Sequence, residues 1–154
     1  MKKKVSITSR KSQTTRNNIL GIKTVGNKQM IFIDTPGIHV KSKKTMNKIL
    51  NKSAQSIIED SDIVLFVVQR LSLTEEDHAI LSKLKETNPF SICVINKIDQ
   101  ISDKRRLLPF IEKISDEYNF ASIIPISAKT NQNLQDLINK IEEHLPENDH
   151  IYDD

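Results

Sequence analysis

Three short polar stretches each follow an apolar run and carry side chains able to share one ligand: Asp34-Thr35-Pro36-Gly37, Asn96-Lys97-Ile98-Asp99 and Ser127-Ala128-Lys129. The Asp99 carboxylate has the two parallel acceptors that match N1–H and the 2-amino group of guanine. Adenine offers neither donor and would leave a buried Asp99 unpaired, a mismatch that gives strong rejection. Lys97 can lie over base and ribose, Asn96 can tie its loop to the neighbouring ones, and the Ala128 N–H can meet guanine O6. Asp34 can hold Mg²⁺ through a bound water, since that ion keeps most of its hydration shell. Gly37 can give a backbone N–H to a terminal phosphate and let the loop change shape when that phosphate leaves. Singly neither match decides: N-K-x-D can arise by chance in a Lys- and Asn-rich chain, and D-T-P-G alone can be an ordinary turn. All three in this order, each abutting an apolar run, point to a guanine nucleotide.

The elements that must position them follow from hydrophobic period. Gln29–Ile33, Ile63–Val68, Phe90–Ile95 and Ser122–Ile126 read as strands, apolar without alternation, the pattern of a parallel sheet covered on both faces. Asn18–Val25 reads as a further strand, joined to the Gln29 run through Gly26-Asn27 as an antiparallel hairpin. Apolar residues spaced three and four apart predict helices through Met46, Ile49, Leu50 and Ile57, through Ile80, Leu81 and Leu84, through Leu107, Leu108, Ile111 and Ile114, and through Leu134, Leu137, Ile138, Ile141 and Leu145. Thr74 before Glu75, Glu76 and Asp77 predicts a capped start, Asn133 is a candidate cap for the last helix, and Pro146 ends it. In such α/β domains ligands bind at the carboxyl ends of strands, where all three polar stretches fall. Residues 1–146 are expected to form the domain and residues 147–154 an acidic tail.

Composition narrows the class. The chain has 154 residues, 37% hydrophobic and 28% charged, with no apolar run near the roughly 18 residues a membrane span needs. A soluble cytoplasmic domain is the expectation. The single cysteine, Cys93, excludes an internal disulfide and reads as a core residue, and the four histidines have no metal-ligand spacing. The net charge of +3 hides a separation: residues 1–52 hold 13 Lys/Arg against one acid, Asp34, and residues 53–154 hold 10 against 19. So basic a first third suits a polyanion, either nucleotide phosphates or RNA, and equally suits a solvated lysine face.

The D-T-P-G, N-K-x-D and S-A-K series resembles the translation-factor class of GTPases. Ser6–Arg16, Asp34–His39 and Ile124–Ala128 are similar to the Era family of bacterial GTPases, a likeness that runs on to His144-Leu145-Pro146-Glu147. The resemblance implies a G domain of the P-loop NTPase type, mostly parallel with one antiparallel strand, binding GTP/GDP and Mg²⁺. It implies that Gln13-Thr14-Thr15-Arg16 belongs to the first switch, with Thr15 ligating Mg²⁺ in the GTP state and Gly37 and Ile38 in the second. Ile38 stands where Ras-like proteins carry a water-positioning Gln, so intrinsic hydrolysis is expected to be slow, and His39 reads as a contact or spectator rather than a base. Small-subunit ribosomal RNA and the 30S subunit as partners, a role in subunit maturation, a monomeric state and peripheral contact with the inner face of the cell membrane are further implications. Related ribosome-assembly and tRNA-modification GTPases usually show G-x-T-R-D where this chain has Gln13-Thr14-Thr15-Arg16-Asn17.

The phosphate-binding loop G-x-x-x-x-G-K-[ST] is not among these residues. Gly21 and Gly26 have its spacing, but Asn27-Lys28-Gln29 and a strand follow, where the loop needs Lys and a helix. The expectation is a central piece of an Era-type protein, without the first strand, phosphate loop and first helix and without the RNA-binding KH domain. Such a piece should be marginally stable and impaired in GTP binding and hydrolysis. The alternative is a non-enzymatic G-domain remnant that docks on RNA or a partner.

Overall fold

The computed structural model describes residues 19–25, 28–34, 58 and 60–145. The chain divides into two compact units, Met1–Ser56 with Pro146–Asp154, and Ile57–Leu145. The predicted helix through Met46 and Ile57, the Gly26-Asn27 link, Thr15, residues 35–39 and the acidic tail all lie outside the described residues.

In the first unit, β1 (Ile19–Val25) and β2 (Lys28–Asp34) pair antiparallel over their whole length, Ile19 opposite Asp34 and Val25 opposite Lys28. Among the described residues this hairpin is a two-stranded sheet of its own, separate from the parallel ladder.

The second unit contains β3 (Val64–Gln69), β4 (Ser91–Asn96) and β5 (Ser122–Pro125), parallel and in that spatial order. Among the described residues three longer α-helices accompany them: α1 (Glu75–Thr87), α2 (Leu107–Glu117) and α3 (Leu134–Glu142). One face of the sheet offers Phe66 and Val68 from β3 and Cys93 and Ile95 from β4. Leu81 and Leu84 of α1 and Phe110 and Ile114 of α2 close over them, with Ile98 and Tyr118 completing the cluster. Ile92 and Val94 point to the opposite face and are equally buried, so β4 is covered on both sides, which is why it is apolar throughout.

Local chemistry sets the helix ends. Thr74 Oγ1 accepts from the Asp77 N–H (3.2 Å) while the Asp77 carboxylate accepts from the Thr74 N–H (2.7 Å), a reciprocal cap reinforced by Glu75 and Glu76 at the positive end of the helix dipole. Asn88 stops α1 in a left-handed conformation, its N–H reaching Leu84 O (2.8 Å). Pro109 is tolerated because it falls in the first turn of α2, where N–H groups have no intrahelical partner. The stripe of α2 keeps Leu107, Ile111 and Ile114 as expected and differs at one member: Leu108 is 63% exposed and Phe110 is buried in its place. Leu107, Phe110, Ile111 and Ile114 form the i, i+3, i+4, i+7 face, and Leu108 lies about 100° round from Leu107. Among the described residues no helix is long and apolar enough to cross a membrane.

Candidate functional site

Two of the three polar stretches meet at the carboxyl end of the parallel sheet. The β4–β5 pairing continues past the strands, Ile126 N–H donating to Ile95 O (2.8 Å) and Ile98 N–H to Ile126 O (3.1 Å), so the loops after the two strands are held edge to edge. Asn96 is the clasp between them: its Oδ1 accepts from the Lys97 N–H (2.7 Å) and from the Ala128 N–H (3.1 Å). Lys97 follows at φ 66°, ψ 34°, a left-handed residue that turns the chain sharply out of the sheet and leaves its side chain exposed. Ile98 points the other way and is 3% exposed in the core cluster, anchoring the loop from beneath. A 3-10 turn over Ile98–Gln100 then presents Asp99.

Ser127 holds Asp99 in place. It is fully buried, its Oγ donates to Asp99 Oδ1 (2.7 Å) and accepts from the Thr130 N–H (3.2 Å), and its own N–H donates to Gln132 O (3.1 Å). The Ser127 hydroxyl, with smaller contributions from the Asp99 backbone N–H and the charges of Lys129 and Lys104, holds the Asp99 carboxyl below the usual carboxylate range. It is therefore an anion ready to accept hydrogen bonds.

Two expectations need correction at this detail. Asp99 is exposed rather than buried, so rejection of a base without the matching donors depends on that base covering the carboxylate. The Ala128 N–H is engaged by Asn96 Oδ1, so reaching a ligand oxygen as well requires a shared, three-centre bond.

Asp34 ends β2 and is exposed, and it belongs to the other compact unit. Thr35, Pro36, Gly37, Ile38 and Thr15 lie outside the described residues. The sequence reading missed several supports. Asn133 does begin α3, but it adopts φ 56° and makes no side-chain cap; its Nδ2 instead donates to Pro125 O (2.8 Å), bracing the strand that delivers Ser127. Lys104 turns its amine onto the Ile98 carbonyl, closing the other side of the Asp99 turn. Only the Asn133 position carried a signal, its place before an apolar helical stripe.

The likeness to known proteins covers the same ground. The family described as 50S ribosome-binding GTPase matches residues 1–97. Curated relatives include the GTPase Era of Pseudomonas syringae pv. tomato, 46% identical, and that of Cronobacter sakazakii, 44% identical, each over 149 residues that make up 97% of this chain. The chain spans about half the length of these relatives, 50% in both cases. Among solved structures, an Aquifex aeolicus Era variant bound to GDP·AlF4⁻ superposes with a TM-score of 0.87 at 35% identity, over 97% of this chain and 51% of that one. An Era complex with MgGDPNP and a segment of 16S ribosomal RNA gives the same TM-score and identity. Elongation factor SelB of Methanococcus maripaludis, 23% identical with a TM-score of 0.63, shares the fold. With well over half its length inside the family match and its loops joined as described, the chain belongs to the 50S ribosome-binding GTPase family, where its relatives are Era GTPases.

Proposed function

We propose that the loops after β4 and β5 read guanine and that this chain is the base-recognising part of an Era-type GTPase. The observation that carries this reading is the Ser127–Asp99 hydrogen bond: a buried hydroxyl fixes an exposed, ionised carboxylate at the mouth of two strands that Asn96 has clasped together. A carboxylate so oriented accepts two hydrogen bonds from guanine N1–H and the 2-amino group, and Lys97 covers the base edge. Asn96, Ile98, Ala128 and Lys129 act by shape and charge: clasp, anchor, backbone donor and distant cation.

Mg²⁺ fits what the described residues offer only in an outer-sphere role. Asp34 is a single exposed carboxylate at a strand end, and no group of three or more acidic, His or Cys side chains among the described residues makes a closed site. A hydrated ion held through water by Asp34, with Thr15 and the nucleotide's own phosphates as further ligands, is consistent with that donor set. The ion would supply charge neutralisation between the phosphates.

Because no G-x-x-x-x-G-K-[ST] loop occurs in the 154 residues, the phosphates lack their backbone cradle and lysine. The 154-residue chain therefore binds guanosine, GDP and GTP with similar, weak affinity and turns GTP over no faster than buffer. Calorimetry with the three ligands and with adenosine tests this. Guanosine and GDP within about fivefold of each other, no heat with adenosine, and loss of all binding in Asp99→Asn are expected. GTP bound a thousandfold tighter than guanosine, or hydrolysis that Asp99→Asn removes, overturns the account of the phosphates. Binding unchanged in Asp99→Asn overturns the account of the base. In the cytoplasm the whole protein would act as a monomer on small-subunit ribosomal RNA and the 30S subunit during maturation, with peripheral membrane contact. The 16S ribosomal RNA complex of a structural relative supports the RNA partner alone; the remaining points are what the resemblance to Era GTPases implies.

A further inference from the structure

Beside the guanine loops, a second concavity opens between the ends of β3 and β4. Gln69 and Asn96 are register partners, so Arg70 and Lys97 leave adjacent strands at the same level. Both do so left-handed, at φ 71° and 66°, a conformation that glycine or asparagine adopts at lower cost. Between them lies a cavity of about 340 Å³, open to solvent along one side. Arg70, Lys97 and Arg106 stand on its rim, all exposed, and the half-buried side chains of Leu71 and Ile101 form its floor. Ser72, Ser102 and Gln100 complete the lining with neutral hydrogen-bonding groups, and no carboxylate is part of it.

The two acids of the loop that carries Lys97 and Arg106 are coupled to other cations. Asp103 accepts two hydrogen bonds from the Arg105 guanidinium, at 2.9 and 3.0 Å, and senses Arg106 only through its charge. Asp99 accepts from Ser127, and its charge couples to Lys129 and Lys104 rather than to a rim residue. Among the described residues no ion pair is formed by Arg70, Lys97 or Arg106. Three unneutralised cations around an apolar floor match a ligand that combines a phosphate with a flat, partly apolar body. The neutral groups suit a ribose hydroxyl or a base edge, and the open side lets a chain enter and leave.

We propose that this cavity seats one nucleotide of single-stranded RNA, its backbone phosphate between Arg70 and Arg106 and its sugar and base over Leu71 and Ile101. The site is distinct from the guanine loops although Lys97 borders both, and it does not depend on what Asp99 reads. Unpaired RNA is the form in which a single base can be splayed into such a recess while phosphate contacts hold the strand.

The test is fluorescence anisotropy of a labelled hexauridylate titrated with the full 154-residue chain over a salt series. Arg70→Asn, which keeps the left-handed backbone at ease, and Arg106→Gln leave the guanine motifs untouched. Together they are expected to weaken binding at least tenfold at low salt and to lower the slope of log K against log salt by about 0.7, the share of one neutralised phosphate on a single strand. Arg105→Gln removes a cation that is 91% exposed and already paired with Asp103, and should change affinity less than twofold. The proposal is overturned if the double variant binds within twofold of the parent, if Arg105→Gln loses as much, or if the parent shows no saturable binding. Competition separates the ligand sources: an unlabelled hexamer should displace the probe, whereas uridine monophosphate or inorganic phosphate displacing it equally well overturns the assignment to an RNA strand.

Discussion

Asp99 and Ser127 form a pair whose members have opposite surroundings, the carboxylate at the surface and the hydroxyl fully buried. The Ser127 hydroxyl donates to Asp99 Oδ1, and such a bond is stronger to an ionised acceptor than to a neutral one, so Ser127 favours the ionised carboxylate. Because the Asp99 carboxyl is held below its ordinary value, the sign is fixed: its contribution to binding and stability is present at neutral pH and lost only as pH falls through that lowered value. Guanosine binding should stay level down to about pH 4, the ordinary aspartate range, and decline below it. In Ser127→Ala the Asp99 carboxyl resonance, followed by NMR, should titrate at higher pH than in the parent. An unmoved titration would show that Ser127 is not what sets it. Both residues were legible as polar positions at strand ends from type and spacing, whereas their hydrogen bond to each other, which joins loops 28 residues apart, was not. Asn133 was legible only in position. Whether it would cap its own helix or reach back to Pro125 depended on where β5 ended, a tertiary fact that no local pattern contains.

The same division between local and tertiary information runs through the elements. Thr74 and the acids after it specify the start of α1 by hydrogen bonds that close within four residues, so the start can be read directly. Thr74→Ala should cost about 1 kcal/mol, as loss of an N-cap side chain generally does, and Thr74→Ser should be close to neutral. Both are measurable as shifts of the urea midpoint with unchanged slope. The sequence pattern does not separate Leu108 from Phe110 on α2, because Leu108 is as apolar as its neighbours. What decides is which residues fall on the face toward Cys93 and Ile95, and Phe110 with Ile114 takes that place. Ile114→Ala, at a site with no exposure, should lose about 2–5 kcal/mol, whereas Leu108→Ala, at 63% exposure, should fall within about 0.5 kcal/mol of the parent. Equal losses at the two positions would overturn the assignment of the buried face.

For the molecule as a whole, the centre of the Ile57–Leu145 unit carries its own reporter. Cys93, the chain's single cysteine, lies on the middle strand with no exposed surface. Burial, with a smaller push from the Asp77 carboxylate, raises its thiol from 9.0 to about 12. The thiolate is the reactive form, so the native chain should resist iodoacetamide even at pH 9, and modification should occur only when β3–β4–β5 opens. The sign follows for stability as well: the unfolded thiol ionises near pH 9 and the folded one does not, so raising pH above 9 draws the chain toward the unfolded state. Alkylation rate then reads the opening of this sheet, separately from any event in the β1–β2 hairpin. Guanosine bound across the loops of β4 and β5 should slow Cys93 modification in proportion to its occupancy, because it binds the closed sheet only. Asp99→Asn should abolish that protection without changing the rate in the absence of ligand. Cys93 modified rapidly in the native chain, or protected equally by adenosine, would mean that the two loops and the strand beneath them do not open and close as one unit.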